Sequence, residues 1–505
     1  MTSLPIFDLF VRLFAAAILI HDALYVSRDG VRHLSSGFLP VLGLRLSKPA
    51  KLALHAGLFL CCGALIFAPS DTRLYPVLLG LIVVKIASYP LRLSNHMILA
   101  GFISALLTLS IFFGARSGEA APLGQSIVIA GVCGFILMLY GFAFFHKLNA
   151  EYIDLPRSCG TAFVDFFCQD RAITAPRLVS AYRYFGVFGT LIIEAILPVL
   201  LFFEETRAIG FLAAILFHYV LGLMGIINFS MFMYAGLIAF LPQAALENSL
   251  ALAHHEPWAQ AALTASTLAI VAISAWWTPR RAAPNCPYRH RWAAWIIQIG
   301  FAALTAALLF AGAVWMTSGY AETGGWAEWP WSARLALAAI LAAFLLNGLS
   351  PYIGAKTEFS FAMFSNLRVE PWTHLLVPGR WRPLRPQPYI EVKAIHGLPT
   401  AAAVAGDPGA ELALEVLSRP KHFFYSRYFF REALLKLRCF VPSGEPISVD
   451  YMENGRHRRI EDVGAERLGR CLRITRFPFV MPRDPHARHS EQGAVLAEGR
   501  ERQMF

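Results

Sequence analysis

The apolar residues of this chain fall in long, nearly unbroken runs. Neither the alternation of half-buried strands nor the narrow stripe of surface helices dominates the first 354 residues. About 20 apolar residues cross the hydrocarbon core of a bilayer as a helix. On that scale the runs predict spanning helices at Ile6–Val26, Leu52–Pro69, Tyr75–Pro90, Met97–Gly114, Ser126–Phe145 and Tyr184–Phe203. Further spans are predicted at Ala208–Gly225, Ile226–Leu241, Ala261–Trp277, Ala293–Met316 and Leu335–Gly354, which makes about eleven. The first run lacks the basic start and small-residue cleavage site of a signal peptide. It carries Asp8, Arg12, His21 and Asp22, which must face the bundle because polar groups are costly against lipid.

Composition agrees with a membrane protein. Of 505 residues, 56% are hydrophobic and 15% charged, with mean hydropathy +0.52. A soluble domain carries about 25% charged residues, so an ordinary soluble enzyme and a disordered chain are excluded. Charge is uneven: residues from Ala355 onward hold 23 Lys/Arg and 17 Asp/Glu. The chain therefore divides into a transmembrane domain (1–245), additional transmembrane helices (246–354) and a basic C-terminal domain (355–505). Eight cysteines without a CxxC pair give no disulfide framework and no metal site.

Alternate loops fall on opposite sides. Arg28, Arg32, Arg45, Lys48, Lys51, Arg92, Lys147, Arg157, Arg171, Arg177, Arg183, Arg280, Arg281, Arg289 and Arg291 share one side, against Arg73, Arg116, Arg207 and Arg334 on the other. The positive-inside rule then puts the basic side in the cytoplasm. With eleven spans this gives a multi-pass protein of the cell (inner) membrane, N-terminus outside and C-terminus cytoplasmic.

In the tail, Tyr389–Ile395, Ile447–Tyr451 and Cys471–Phe477 alternate like strands, and Asn454-Gly455 signals a hairpin turn. His422–Phe440 has helical spacing, with Phe430, Leu434 and Leu437 on one face and Arg427, Arg431, Lys436 and Arg438 supplying charge. This predicts a small α+β domain ending in a frayed tail after about Pro485. The basic aromatic helix suits either an anionic membrane surface or the cover of a small sheet. No nucleic-acid module is present. Between bundle and tail, Leu346–Arg368 is broken by Pro351 and Gly354, and reads as a re-entrant segment or a plain linker.

Polar groups inside or at the ends of the spans carry any chemistry. Lys147 ends the fifth span and Asn95-His96 opens the fourth, on the same side by parity. A lysine in an apolar pocket loses hydration and becomes available as a base. A nearby histidine can donate to a developing oxyanion. The competing reading is that Lys147 snorkels to the interface and His96 caps a helix. Lys85, Glu194 and His218 lie mid-span and need partners in the bundle.

The ordered set of these residues resembles the HTTM membrane domain, the family that includes vitamin K-dependent gamma-carboxylase. The matching pieces are Arg12 and Asp22, Ser94-Asn95-His96, Phe145-His146-Lys147-Leu148-Asn149 with Tyr152, Glu194 with Pro198, Arg207-Ala-Ile-Gly210, Phe217-His218, and Phe229–Ala235 running to Leu241-Pro242. The resemblance spans roughly residues 6–245. It implies an all-α polytopic helix bundle whose lysine deprotonates vitamin K hydroquinone, after which a glutamate γ-proton is removed and carbon dioxide added. Carried over, Lys147 is the base and His96 the oxyanion donor, with Asn95, His146, Glu194 and His218 as cofactor-binding candidates. His146 replaces the family's first lysine and Asn149 its aspartate. The large C-terminal substrate-binding portion of the carboxylases has no counterpart, and their topology puts this face in the lumen. These departures weaken a peptidyl-glutamate substrate more than they weaken quinol chemistry.

Two function classes follow. One is a quinol-using, carboxylase-like membrane enzyme. The other is a non-catalytic scaffold that binds a lipid, quinone or peptide partner. Transport ranks third, since inverted repeats and paired broken helices are missing.

Overall fold

The structure is a computed structural model that describes residues 5–33, 44, 46–88, 95–114, 121–277, 291–319, 329–354, 360–362, 365–367, 372–381, 390–419, 423–442, 444–453, 456–464 and 480–482. The helices of the bundle are α1 (Pro5–His33), α2 (Lys48–Phe67), α3 (Leu74–Ser88), α4 (Asn95–Gly114) and α5 (Ala121–Lys147). Three shorter ones follow, α6 (Ala150–Ile153), α7 (Cys159–Asp170) and α8 (Pro176–Tyr184). Then come α9 (Thr190–Phe202), α10 (Glu204–Leu221), α11 (Ile227–Ile238), α12 (Gln243–His255), α13 (Pro257–Trp277), α14 (Arg291–Ser318) and α15 (Trp331–Leu349).

All eleven apolar runs are helical, but the count of about eleven spans is not reached. Eight described helices are long and apolar enough to cross a membrane. α3 is too short at 15 residues. α1 is not among the eight, because Asp8, Arg12 and Asp22 interrupt its apolar stretch. Glu204–Ile238 counts as one apolar helix of 35 residues. That helix is nevertheless bent back on itself. Tyr234 Oη donates to the Ile215 carbonyl at 3.1 Å, whereas 19 residues of straight helix extend about 28 Å. The bend is the π-turn Gly222–Ile226, where Gly225 takes φ 103°. Only glycine adopts that backbone at no steric cost. The Leu223 carbonyl at the break accepts from Arg171 Nη2 at 2.8 Å.

A single apolar core runs through the bundle, from Phe10 and Phe14 of α1 through Phe135 of α5 and Phe232 of α11 to Phe301 of α14 and Phe344 of α15. α1 packs on α2 and α11, α5 on α4, α9 and α15, and α10 on α14. Outward-facing residues stay apolar, among them Leu60, Phe67, Phe112, Ile192, Leu268 and Leu346, which suits a lipid surround.

The tail is the small α+β unit expected. Strands β1 (Glu391–His396), β3 (Ser448–Glu453) and β4 (Arg456–Ile460) form an antiparallel sheet in the order β1-β3-β4, and β2 (Phe423–Tyr425) pairs with β5 (Val480–Pro482). Helices α16 (Ala401–Val404), α17 (Pro408–Leu417) and α18 (Arg427–Arg438) complete it. The expected helix over His422–Phe440 starts late. Tyr425 pairs with Ile390 as strand, and Ser426 Oγ then accepts from the Phe429 amide at 3.2 Å as an N-cap. Phe430, Leu434 and Leu437 are buried in the tail core. The helix's cations are engaged inside the domain: Arg427 with Glu453, Arg431 with Glu432, Lys436 with Asp407, and Arg438 with the Val441 carbonyl. α18 is thus the cover of the sheet. The expected turn Asn454-Gly455, the strand Cys471–Phe477 and the tail beyond Pro485 lie outside the described residues. Ile98 of α4 packs against both the bundle core and the tail core, so the tail docks at the end of the bundle where α4 begins.

The contact between α5 and α15 at Gly348 is closed to side chains, because a Cβ there would overlap the Phe142 ring. Gly348→Ala is expected to lower stability by about 1–3 kcal/mol. Gly300→Ala in α14, with open space around the Cβ position, is expected to raise it slightly through helix propensity. Unfolding midpoints of the two variants in detergent give the comparison; a Gly348→Ala midpoint at or above that of the parent would contradict the packing.

Candidate functional site

Two faces of the last turns of α5 do different work. Tyr140 and Lys147 are seven residues apart and share one face. That face meets α9, where Lys147 Nζ donates to Glu194 Oε2 at 2.5 Å, with side chains 3% and 10% exposed. The Lys147 amine also reaches the Ala143 carbonyl at 3.4 Å and lies 5.7 Å from the Tyr152 ring centroid. About two turns away, Tyr140 Oη is 2.7 Å from His218 Nε2 of α10. The other ring nitrogen, His218 Nδ1, is buried without a hydrogen-bond partner, and the Phe229 ring lies 5.5 Å away. Glu194, Lys147, Tyr140 and His218 thus form a buried polar group of two hydrogen-bonded pairs between α5, α9 and α10.

His146 and Phe142 occupy another face of α5. His146 Nδ1 is 2.7 Å from Tyr352 Oη and its Nε2 is 3.1 Å from the Ser360 carbonyl. The next residue, Phe361, donates its amide to Asn95 Oδ1 at 2.9 Å. Neighbouring residues therefore touch both helix ends, which places the start of α4 beside the end of α5 as parity requires. The described residues of the segment after α15 are accordingly a strap bonded across the bundle end. Just past the end of α5 the Ala150 amide donates to the Thr373 carbonyl, while the Leu375 amide donates to the Leu148 carbonyl, each at 2.9 Å. Asn149 donates from Nδ2 to the His146 and Ser365 carbonyls.

His96 does not meet Lys147 in a direct pair. Its Nε2 is 2.7 Å from His21 Nδ1, with the two rings perpendicular at 4.3 Å, and the Phe232 ring lies 5.3 Å from it. Beside this pair, Asp22 is fully buried and bound at both oxygens. His55 Nδ1 donates to Oδ2 at 2.6 Å and the Lys85 ammonium donates to Oδ1. Since a carboxylate only accepts, His55 must carry its proton on Nδ1. This second cluster joins α1, α2, α3 and α4.

The expected site residues thus separate into three groups. Lys147, Glu194 and His218 gather in one polar group. Asn95 and His146 spend their hydrogen-bonding atoms on the strap, where a cofactor-binding role was expected. His96 belongs to the α1–α4 cluster. The snorkelling alternative for Lys147 does not describe it, because its amine is turned inward to a carboxylate. Sequence reasoning missed Tyr140, Tyr352 and His374. Tyr140 had a signal, its seven-residue spacing from Lys147; the other two had none beyond being isolated polar rings in an irregular segment. Among the described residues no group of three or more His, Cys, Asp or Glu is placed to hold a metal ion.

The buried ion pair sets a stability test. Removing one member strands the other charge in an apolar site, at a cost of about 3–5 kcal/mol. Lys147→Met and Glu194→Gln should each lower the unfolding midpoint, and the double variant should lose less than the two losses added. Strict additivity would show that the two groups do not stabilise each other. Comparison with known proteins leaves the chain unplaced: no protein-family model, no curated protein and no solved structure matches it.

Proposed function

We propose that this protein is a membrane enzyme acting on a hydroquinone, in the manner of the carboxylase-like proteins it resembles, with Lys147 as the base. The observation that carries the reading is the buried Lys147–Glu194 pair at 2.5 Å, about two turns of α5 from the Tyr140–His218 pair. The donor set fits an aromatic diol. His218 Nδ1 is an orphaned buried polar atom beside the Phe229 ring, suited to a ligand hydroxyl on an aromatic ring. A hydroquinone would supply the reducing electrons, with dioxygen as their acceptor.

The protein's own groups define the proton route. As an ion pair, the Lys147 amine holds its proton and has no lone pair. Base action therefore begins with transfer of that proton to Glu194, which lies along the hydrogen bond already formed. The free amine then takes a proton from a ligand hydroxyl. Tyr140 holds the His218 ring through Nε2, so that Nδ1 is presented to the ligand oxygen. His96, expected as the oxyanion donor, has Nε2 committed to His21 and keeps Nδ1 as its remaining polar atom. The same reading includes eleven crossings of the inner membrane. They comprise seven of the eight apolar helices, α1, α3 and the two arms of the eighth, which is bent at Gly225. The N-terminus lies outside and the basic tail in the cytoplasm.

A second reading is favoured by a specific observation: Asn95, His146 and Asn149 are consumed by the strap. A bundle whose polar motif fastens its own chain is what a scaffold binding a lipid, quinone or peptide would show.

Two measurements separate these readings. Lys147→Ala is expected to reduce hydroquinone oxidation by reconstituted protein by about 100-fold or more, the usual contribution of a general base. Turnover equal to that of the parent would remove Lys147 as base. A scaffold would instead retain quinone or lipid on gentle purification, read by mass spectrometry, with no turnover in the parent. Orientation is checked by introducing Arg177→Cys, which should react with a membrane-impermeant maleimide only after the cytoplasmic face is opened.

A further inference from the structure

Lys147 sits within a stretch of chain that is held from outside. Of the residues around it, Phe145, His146, Leu148, Asn149 and Ala150 are all bonded to residues 352–375. His374 is the centre of these contacts. Its Nδ1 lies 3.2 and 3.1 Å from the amides of Leu376 and Val377, and its Nε2 lies 3.0 Å from the Phe145 carbonyl. Amides only donate, so Nδ1 must accept; a carbonyl only accepts, so Nε2 must carry the proton. One neutral tautomer satisfies all three partners. A second proton, on Nδ1, would set an N–H against the two amides and forfeit both of those bonds; the Nε2–H bond to Phe145 alone would then have to hold a charged ring among three aromatic ones, so the ring leaves its seat and the Phe145 bond goes with it.

We propose that His374 is a positioning residue for Lys147, a latch that in its neutral form fastens the strap to the last turn of α5 and on protonation releases it. The imidazole is buried among Phe145, Tyr352 and Trp372, whose rings lie at 4.8, 5.2 and 5.8 Å. The titratable groups facing it are His146 from α5 and Tyr352 from the turn after α15. Among the described residues no carboxylate is paired with His374, so no counter-charge steadies an imidazolium. Burial lowers its pKa below the ordinary 6.5, and the bond to the Phe145 carbonyl only partly opposes this. The sign follows. A depressed histidine pKa means that the latch is complete above the ordinary value and is lost as pH falls through the lowered one. Release frees the residues on both sides of Lys147 and so disturbs its alignment with Glu194. The consequence for chemistry rests on the reading of Lys147 as the reacting group; the latch itself does not.

The test is hydrogen–deuterium exchange of the full chain in lipid nanodiscs at about pH 8 and about pH 4, one above the free histidine value and one well below it, because burial lowers this group. Exchange times are matched for the intrinsic pH dependence of amide exchange. Peptides covering residues 145–153 and 372–378 report the Ala150 and Leu375 amides that bridge the strap. The parent is expected to exchange there about tenfold or more faster at the acid pH, as loss of hydrogen bonds worth about 1 kcal/mol each requires. His374→Asn keeps an acceptor for the Leu376 and Val377 amides but loses both the proton and the reach to Phe145. It should exchange quickly at both pH values in residues 145–153, with no acid step. Equal protection of the parent at both pH values, or a parent-like acid step in His374→Asn, would overturn the latch. Lys147→Ala should keep the acid step whatever the hydroquinone assay shows, so the two readings can fail separately.

Discussion

A charged or hydrogen-bonding group inside an apolar bundle must find its partner within the protein, and this constraint organises the whole membrane domain. Water is not at hand to repair a missing bond, and an unpaired charge there is far costlier than an unpaired methylene. The helices are accordingly arranged so that several of the strongly polar positions meet one another from different helices. Asp22 takes Lys85 and His55, His21 takes His96, and Glu194 takes Lys147. These pairs fix which helix faces touch, which apolar contacts alone leave open because lipid tails are as apolar as leucine. α1 is the clearest case. Its polar residues do not disqualify it as a bundle helix; they bind it to α2, α3 and α4.

The constraint extends to backbone. Where the helix breaks at Gly225, Arg171 reaches from α7 to the exposed Leu223 carbonyl. Where α5 ends, the strap supplies partners to carbonyls and amides that have no helical continuation. The polar end of the bundle is therefore closed by protein, and the Lys147 group lies beneath that closure.

Much of the fold was legible in the residues because its signals are local. The apolar runs are each long enough to declare a helix, and the division between Gly225 and Ile226 falls at the observed bend. The tail's strands at Glu391–His396 and Ser448–Glu453 follow from alternation. What remained hidden depends on which distant residues meet. Lys147 closes and His96 opens neighbouring helices at the same end, yet each residue along a helix rotates the side chain by about 100°, and that rotation sends Lys147 to α9 and His96 to α1. The strap is bonded largely through backbone atoms, which leave no trace in side-chain pattern. His146 and Asn149 are legible in the sequence as polar residues at a helix end, but their partners, Tyr352, Ser360 and Ser365, lie 206 to 216 residues away in the chain.

The strap also orders events in time. Phe145 and His374 are 229 residues apart in the chain. During synthesis at about 5–20 residues per second, the end of α5 waits roughly 10–50 s before its partner exists. For that interval the carbonyls and amides around Lys147 must be served by water, lipid headgroups or an assisting protein. The newly made bundle thus passes through a form in which its polar end is open, and it matures only when the last membrane helix has been inserted and the segment behind it has folded back.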